Sequence, residues 1–354
     1  MAMLALSAAH RIDLPRIVLV GADVLDELGE VTQELGFDSV LLLTGVRTYE
    51  VAGRRAAKNL EDSGVACRVK FVSDSDAGTA TKLQGEMSQT GVRLIIGVGG
   101  GRVIDVAKVS SSDMGIPFVS VPTTASHDGI ASSVASLKWL GKPHSIKAQS
   151  PIAVIADSRV VMESPYRYTA SGCGDVLSKA TSISDWRLSH DLTGEYYGNY
   201  AASLALMSHR LVQDEAEKIV SRTDEGVRTL LEALVSCGVA MSIAGNSRPC
   251  SGSEHLFSHA LDSLSPNPAL HGEQCGVGSI MMSKLHGLDW EGLRDTLRIL
   301  RAPTTAEELH VSPDHVVEAL VNAKEIRPDR FTILSRVNLG FTEARRLASE
   351  CGVI

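Results

Sequence analysis

Aromatic residues make up only 4% of the sequence, too few for the stacked platforms that hold single-stranded nucleic acid. No run of basic residues occurs. Lys and Arg total 34 against 42 Asp and Glu, a net charge of −8, which argues against a nucleic-acid backbone as partner. There is no CxxC pair. The six cysteines (Cys67, Cys173, Cys237, Cys250, Cys275 and Cys351) are scattered, a reduced-thiol pattern rather than a disulfide framework. No window of about 20 residues is both uncharged and strongly apolar, so no membrane span is expected. The opening MAMLALSAAHRIDLPR has no basic stretch ahead of its apolar residues and makes a poor signal peptide. A cytoplasmic globular protein is the base expectation.

What is present is core-forming material. With 354 residues, 44% of them hydrophobic, the chain is long enough for two domains with sizeable cores. The first half alternates short apolar runs with helical stretches. Strands are expected at 16–20 (RIVLV), 39–43 (SVLLL), 66–72 (ACRVKFV), 93–98 (RLIIGV), 116–121 (IPFVSV) and 153–156 (AVIA), with helices at 54–60 and 79–89. That pattern predicts a parallel sheet covered on both faces. Past residue 160 the strand-like runs vanish, and helices are expected at 173–188, 197–219 and 226–244. The expected division is an α/β domain over 1–160 and an all-helical domain over 161–354.

Three segments carry candidate chemistry. The first, GVGGGRVID at 97–105, leaves the fourth strand and opens a helix at 103–111. Glycines let a phosphate approach the backbone, and a helix start offers free N–H groups and a positive end. Arg102 breaks the spaced dinucleotide fingerprint, and a tight turn would use the same glycines. The second, VPTTASHDG at 121–129, follows the fifth strand; ligands gather at strand C-terminal ends in open parallel sheets, though a solvent loop would also be polar. The third, SGSEHLFSHALD at 251–262, places His255 and His259 on one helix face. Leu256 stands where a metalloprotease helix needs Glu. His271 follows sixteen residues after His255, so these imidazoles could build a metal site. A further ligand is needed. Asp175 in SGCGD is a candidate, read as opening a helix, where it would serve equally as a cap.

Together GGGRVID, PTTASHDGIAS, SGCGDVLSK and SGSEHLFSHALD followed by HGEQ resemble the sn-glycerol-1-phosphate dehydrogenase family. That family lies in the group holding glycerol dehydrogenases, iron-dependent alcohol dehydrogenases and 3-dehydroquinate synthase. The resemblance runs from about residue 16 to 340; SHDGIAS and SEHLFSHALD are its specific segments, while the glycine loop is common to the group. It implies a dehydroquinate synthase-like fold, with an N-terminal α/β nucleotide-binding domain, a helical C-terminal domain and the active site between them. It implies zinc-dependent, reversible reduction of dihydroxyacetone phosphate to sn-glycerol 1-phosphate with NAD(P)H, which would supply the backbone of archaeal-type phospholipids. A dehydrogenase of glycerol or another unphosphorylated alcohol is the rival on the same scaffold.

Carried over by motif, the resemblance implies Asp175, His255 and His271 as zinc ligands. Three protein ligands would leave the open position that a catalytic zinc needs. His259 joins these three in catalysis. Asp128, Asp175 and His259 are implied substrate contacts. Gly101, Arg102, Val103, Ile104, Asp105, Thr123, Thr124, Ala125, Ser126 and Ser132 are implied cofactor contacts. The second strand ends without the carboxylate that would hold a ribose 2′-OH. Arg47 could receive a 2′-phosphate and Thr44 a hydroxyl, so use of both NAD and NADP is expected. The substrate phosphate needs a cation, for which Arg248, Lys138, Lys142 and Lys147 are candidates. A homo-oligomer is the norm for the group.

Overall fold

The computed structural model describes residues 12–74, 78, 83, 91–139, 142–265, 267–337 and 339–354, with backbone alone at 138–139 and 142–145. Its strands are β1 (Ile17–Gly21), β2 (Ser39–Thr44), β3 (Ala66–Phe71), β4 (Ile95–Gly99), β5 (Phe118–Pro122), β6 (Val134–Trp139), β7 (Lys142–Lys147) and β8 (Ala153–Asp157). Six of them form one parallel sheet in the order β1-β8-β5-β4-β2-β3. These six are the apolar runs expected from the sequence. The central strands β4, β5 and β8 are buried at every residue, as strands covered on both faces must be. Leu42, Ile96, Val98 and Val119 pack on one face with Leu25, Leu28 and Leu60. Leu41, Leu43, Ile95 and Phe118 pack on the other with Ile104 and Ala107.

The order contains a switch point. The chain leaves β2 toward β3 on one side and β4 toward β5 on the other, so the loops after β2 and β4 part above the sheet. Such a crevice, at the carboxyl ends of the strands, is where open α/β sheets bind ligands. The antiparallel hairpin β6–β7 was not expected from the sequence. The helix expected at 79–89 lies mostly outside the described residues.

From Tyr166 onward the described elements are helices. Two predicted helices are each divided. The 173–188 stretch falls within Tyr166–Leu177 and Lys179–Thr193, with Ser178 between them. The Ser178 hydroxyl donates to the Asp175 carbonyl at 2.6 Å, the local back-bonding by which serine competes with a helix. The 197–219 stretch resolves into Asn199–Asp214 and Ala216–Val220. Asp224–Ala244 is the one described helix long and apolar enough to cross a bilayer, but 67% of that stretch is buried inside the protein. It packs Leu230, Leu231, Leu234 and Met241 into the core.

Two helices approach through glycine. A Cβ on Gly174 would lie 2.3 Å from the Gly272 carbonyl oxygen, and one on Gly272 would lie 1.9 Å from that of Ser171. Backbone therefore meets backbone along the seam between Tyr166–Leu177 and His271–His286. Asp175 follows Gly174 and His271 precedes Gly272, so this seam sets two candidate ligands side by side.

Candidate metal centre and nucleotide cleft

The glycine loop turns from β4 into the helix Gly101–Met114. Gly100 caps it in extended backbone (φ −77°, ψ −176°), and its carbonyl accepts from the Val103 and Ile104 N–H groups. That leaves the first-turn N–H groups of Gly101 and Arg102 facing out of the helix end. A Cβ on Gly100 would meet only Thr124 Oγ1, at 3.4 Å, so the space beside Gly100 is open, while the His127 ring lies against Gly101. Thr123, in the adjoining loop, bonds through its N–H to the Gly99 carbonyl at 3.0 Å, while its buried hydroxyl has no partner. An open helix start beside an unpartnered buried hydroxyl suits a pyrophosphate.

The expected cofactor residues divide on inspection. Val103 and Ile104 turn their side chains into the core, so only their backbone borders the cleft. Ala125 is fully buried, and the Ser126 carbonyl accepts from Ser171 Oγ at 3.0 Å. Asp105 and Ser132 line the cavity. Both are held by buried Lys108, whose Nζ donates to the carbonyls of Gly129 (2.8 Å) and Val134 (2.7 Å) and lies 3.8 Å from Asp105 Oδ1. At the end of β2 the Thr44 hydroxyl is buried against Thr48 Oγ1 at 2.9 Å, which removes it as a ribose contact. Arg47 is exposed.

One side-chain cluster stands below this cleft. Ligand atoms of Asp175, His255, His271 and Cys275 lie within 4.8 Å of one another. The first three are the expected set; Cys275 was not foreseen. Asp175 does not open a helix but sits near the end of Tyr166–Leu177, and its carboxylate caps nothing there. Its Oδ2 accepts from the Asp128 N–H at 2.8 Å, and its Oδ1 from Lys179 Nζ at 2.6 Å.

Partners one step out fix both imidazoles. His255 Nδ1 lies 2.8 Å from Glu254 Oε1. A carboxylate only accepts, so Nδ1 carries a proton and the ring turns Nε2 toward Asp175, 3.7 Å from its Oδ1. Burial alone would raise the Glu254 carboxyl. The bonds from His255, Ser182 and the Gly252 N–H overcome it and lower Glu254 to about 2. His271 Nδ1 lies 3.2 Å from Ser258 Oγ, whose own proton goes to Gln274 Oε1 at 2.6 Å. The ring therefore donates through Nδ1 and turns Nε2 to the cluster, 3.6 Å from Cys275 Sγ. Burial first, then the neighbouring imidazoles of His255, His259 and His127, pushes His271 well below its ordinary range. Two imidazoles oriented from outside and one carboxylate make a nitrogen–oxygen donor set suited to a divalent transition metal. Burial, then the Asp175 and Glu254 charges, holds Cys275 well above a normal thiol, so it stands in the cluster as a thiol.

A cavity of about 170 Å³ opens above the cluster, with His127, Asp128, His255, His259 and His271 in its wall. His259 stacks 5.8 Å from His271, ring centre to ring centre, and its Nδ1 is 3.8 Å from Asp262 Oδ2. Lys179 Nζ lies 2.9 Å from Asp128 Oδ2, an ion pair without hydrogen-bond alignment. That oxygen is buried and faces the ammonium, with lone-pair capacity left to accept from a hydroxyl as well.

Arg248 is not the phosphate cation. It is buried against Glu195, with Nε to Oε1 at 2.8 Å and a second bond to Oε2, and donates to the Phe331 carbonyl at 2.9 Å. Its guanidinium joins a loop to the helical core and is spent there. Lys147 is exposed and is not among the residues lining the cavity; the side chains of Lys138 and Lys142 lie outside the described residues.

The fold matches solved dehydrogenases: glycerol dehydrogenase from Schizosaccharomyces pombe (TM-score 0.80, 19% identity, covering 97% of this chain and 90% of that one) and a probable glycerol dehydrogenase from Sinorhizobium meliloti (TM-score 0.78, 20% identity, 97% and 98%). The family model for iron-containing alcohol dehydrogenase matches residues 19–165. This class of fold here sets the crevice at the strand ends above the cluster of Asp175, His255 and His271. Glycerol-1-phosphate dehydrogenase [NAD(P)+] of Pyrococcus furiosus is 49% identical over 346 residues, covering 98% of this chain and 100% of that protein. The enzyme of the same name from Methanosarcina acetivorans is 49% identical over 329 residues, covering 93% and 92%. The chain belongs to the glycerol-1-phosphate dehydrogenase family.

Proposed function

We propose that this chain reversibly reduces dihydroxyacetone phosphate to sn-glycerol 1-phosphate with NADH or NADPH, using zinc held by Asp175, His255 and His271. The observation that carries the reading is the convergence of these three donors beneath a cavity that adjoins the glycine loop. Family membership supports the substrate class. Bound there, zinc would supply Lewis acidity at the C2 oxygen while the nicotinamide supplies the hydride. The chain's own part is to hold and protonate. Glu254 and Ser258 aim the two imidazoles. Asp128 accepts from a substrate hydroxyl, and Lys179 pairs with both Asp128 and Asp175. His259 passes the proton that the C2 oxygen takes up. The helix start at Gly101 and Arg102, with Thr123, Thr124 and Ser132, holds the cofactor. Residues 1–160 and 161–354 act as the two walls of the cleft, in a cytoplasmic homo-oligomer.

The test is NADH oxidation by the purified protein with dihydroxyacetone phosphate and with dihydroxyacetone, before and after chelation and after zinc return. Preference for the phosphorylated substrate, lost on chelation and restored by zinc, is expected. Preference for dihydroxyacetone would assign the chain to unphosphorylated substrates instead.

The cofactor reading has its own check. Val at position 100 fits the observed backbone angles, so Gly100→Val should fold normally and fill only the space above the helix end. Losing charged hydrogen bonds there costs about 1.5–3 kcal/mol, so the Kd for NADH should rise roughly 10- to 150-fold. Fluorescence titration reads this, and an unchanged Kd would make the loop a turn and nothing more.

A further inference from the structure

The proposed substrate carries a phosphate dianion, and the argument that follows rests on that reading. Among the cations around the cavity, Lys179, Lys108 and Arg248 are each held by protein acceptors. Arg327 is the exception. It caps the helix Pro313–Ile326 and lines the cavity together with Ser247 and Ser251. Among the described residues its guanidinium has no hydrogen bond and no ion pair. We propose that Arg327 and the hydroxyls of Ser247 and Ser251 form the subsite for the substrate's phosphate, with Arg330 as the positioning residue behind them.

The two serines are prepared as donors. Arg330 Nη1 donates to Ser251 Oγ at 3.0 Å and to the Ser251 carbonyl at 2.7 Å, and Nη2 donates to Ser247 Oγ at 2.8 Å. A guanidinium only donates. Each hydroxyl therefore accepts from Arg330 and keeps its own O–H for a ligand in the cavity. Arg327 brings a planar fork of N–H groups that pairs with two phosphate oxygens at once.

The local field agrees with this arrangement. Burial, and then the charges of Arg327 and Arg248, lowers Arg330 to about 10. Positive charge is thus crowded at this end of the cavity, and an anion would relieve it. The carboxylates in the same wall have partners already: Asp128 has Lys179, Asp262 has Gln274 and Asp105 has the Ser136 N–H. They leave the Arg327 end as the place for a dianion.

The experiment compares the zinc-loaded wild-type enzyme with Arg327→Ala and Arg327→Lys. It measures calorimetric binding of inorganic phosphate, kcat/KM for dihydroxyacetone phosphate relative to dihydroxyacetone, and the Kd for NADH. Loss of the charged bonds should cut the substrate ratio roughly 10- to 150-fold in Arg327→Ala. Phosphate binding should weaken to a similar degree and the NADH Kd should stay put. Arg327→Lys, keeping the charge but not the fork, should fall between. An unchanged ratio and unchanged phosphate binding in Arg327→Ala would place the phosphate elsewhere. A raised NADH Kd with the ratio kept would assign Arg327 to the cofactor, and wild-type protein that binds no phosphate would also overturn the subsite. A wild-type enzyme that binds phosphate through Arg327 yet ignores dihydroxyacetone phosphate would refute the substrate and leave the anion site standing.

Discussion

His271→Ala is expected to lose bound metal and nearly all turnover while the fold survives. The ring is held well below its ordinary range and stays uncharged, so its removal leaves no unpaired charge behind. The helix it opens is anchored independently, since Glu273 accepts from the Leu270 N–H at 2.8 Å and pairs with Arg167 at 2.6 Å. Two donors, Asp175 and His255, would remain. Loss of an outer-shell partner already costs roughly 10- to 100-fold in metal affinity or activity; loss of a donor itself should exceed that. Metal analysis beside circular dichroism checks both halves. Full metal occupancy with normal turnover would take His271 out of the centre.

The second large effect belongs to a residue that would touch neither metal nor cofactor in this scheme. Lys179 is fully buried and is the shared cation of Asp175 and Asp128. Burial opposes its charge, but the two carboxylates outweigh it and hold the ammonium well above its ordinary range. Lys179→Met keeps the apolar stem and deletes that charge, stranding the buried Asp175 carboxylate and the half-buried one of Asp128. Breaking a buried pair in this way costs about 3–5 kcal/mol. Urea unfolding of the metal-free variant should show a loss of that size. With metal bound the loss should shrink, because a cation at Asp175 replaces part of what was removed. Equal losses with and without metal would mean that Asp175 does not hold the ion.

The inner strands of the parallel sheet were legible because buried parallel strands are continuous apolar runs, SVLLLT at β2 and AVIAD at β8 being examples, while edge strand β3 (ACRVKF) was legible by its alternation. The hairpin was not. VASLKW and KPHSIK mix polar and apolar residues, and Pro143 interrupts the second. The break at Ser178 carries no Gly or Pro, and a hydroxyl bonded to a carbonyl three residues back leaves no mark on hydrophobic periodicity. Asp175 in SGCGD was expected to open a helix, whereas the helix already starts at Tyr166 and the two glycines sit inside it, where another backbone approaches.

At the site, periodicity alone brought out His255 and His259, and spacing added His271. The complete donor set and the cofactor contacts rested on the family resemblance. Glu254 was readable in principle, as a carboxylate beside a candidate ligand. Lys179, Ser258 and Gln274 matter only through what they touch. Arg248 and Arg327 look alike in sequence; tertiary contacts alone reveal that Glu195 has claimed the first and that no described residue has claimed the second.

The glycine seam between the helices bearing Asp175 and His271 closes off a region of sequence space. Elsewhere in the core, a drifting side chain can be absorbed by its neighbours, which slide or change rotamer. Where Gly174 meets Gly272 there is nothing to slide, and even one methyl group would pry apart the two halves of the donor set. The spacing of the two donors is thus set by main chain rather than by side chains, and the frame that holds them can hardly move.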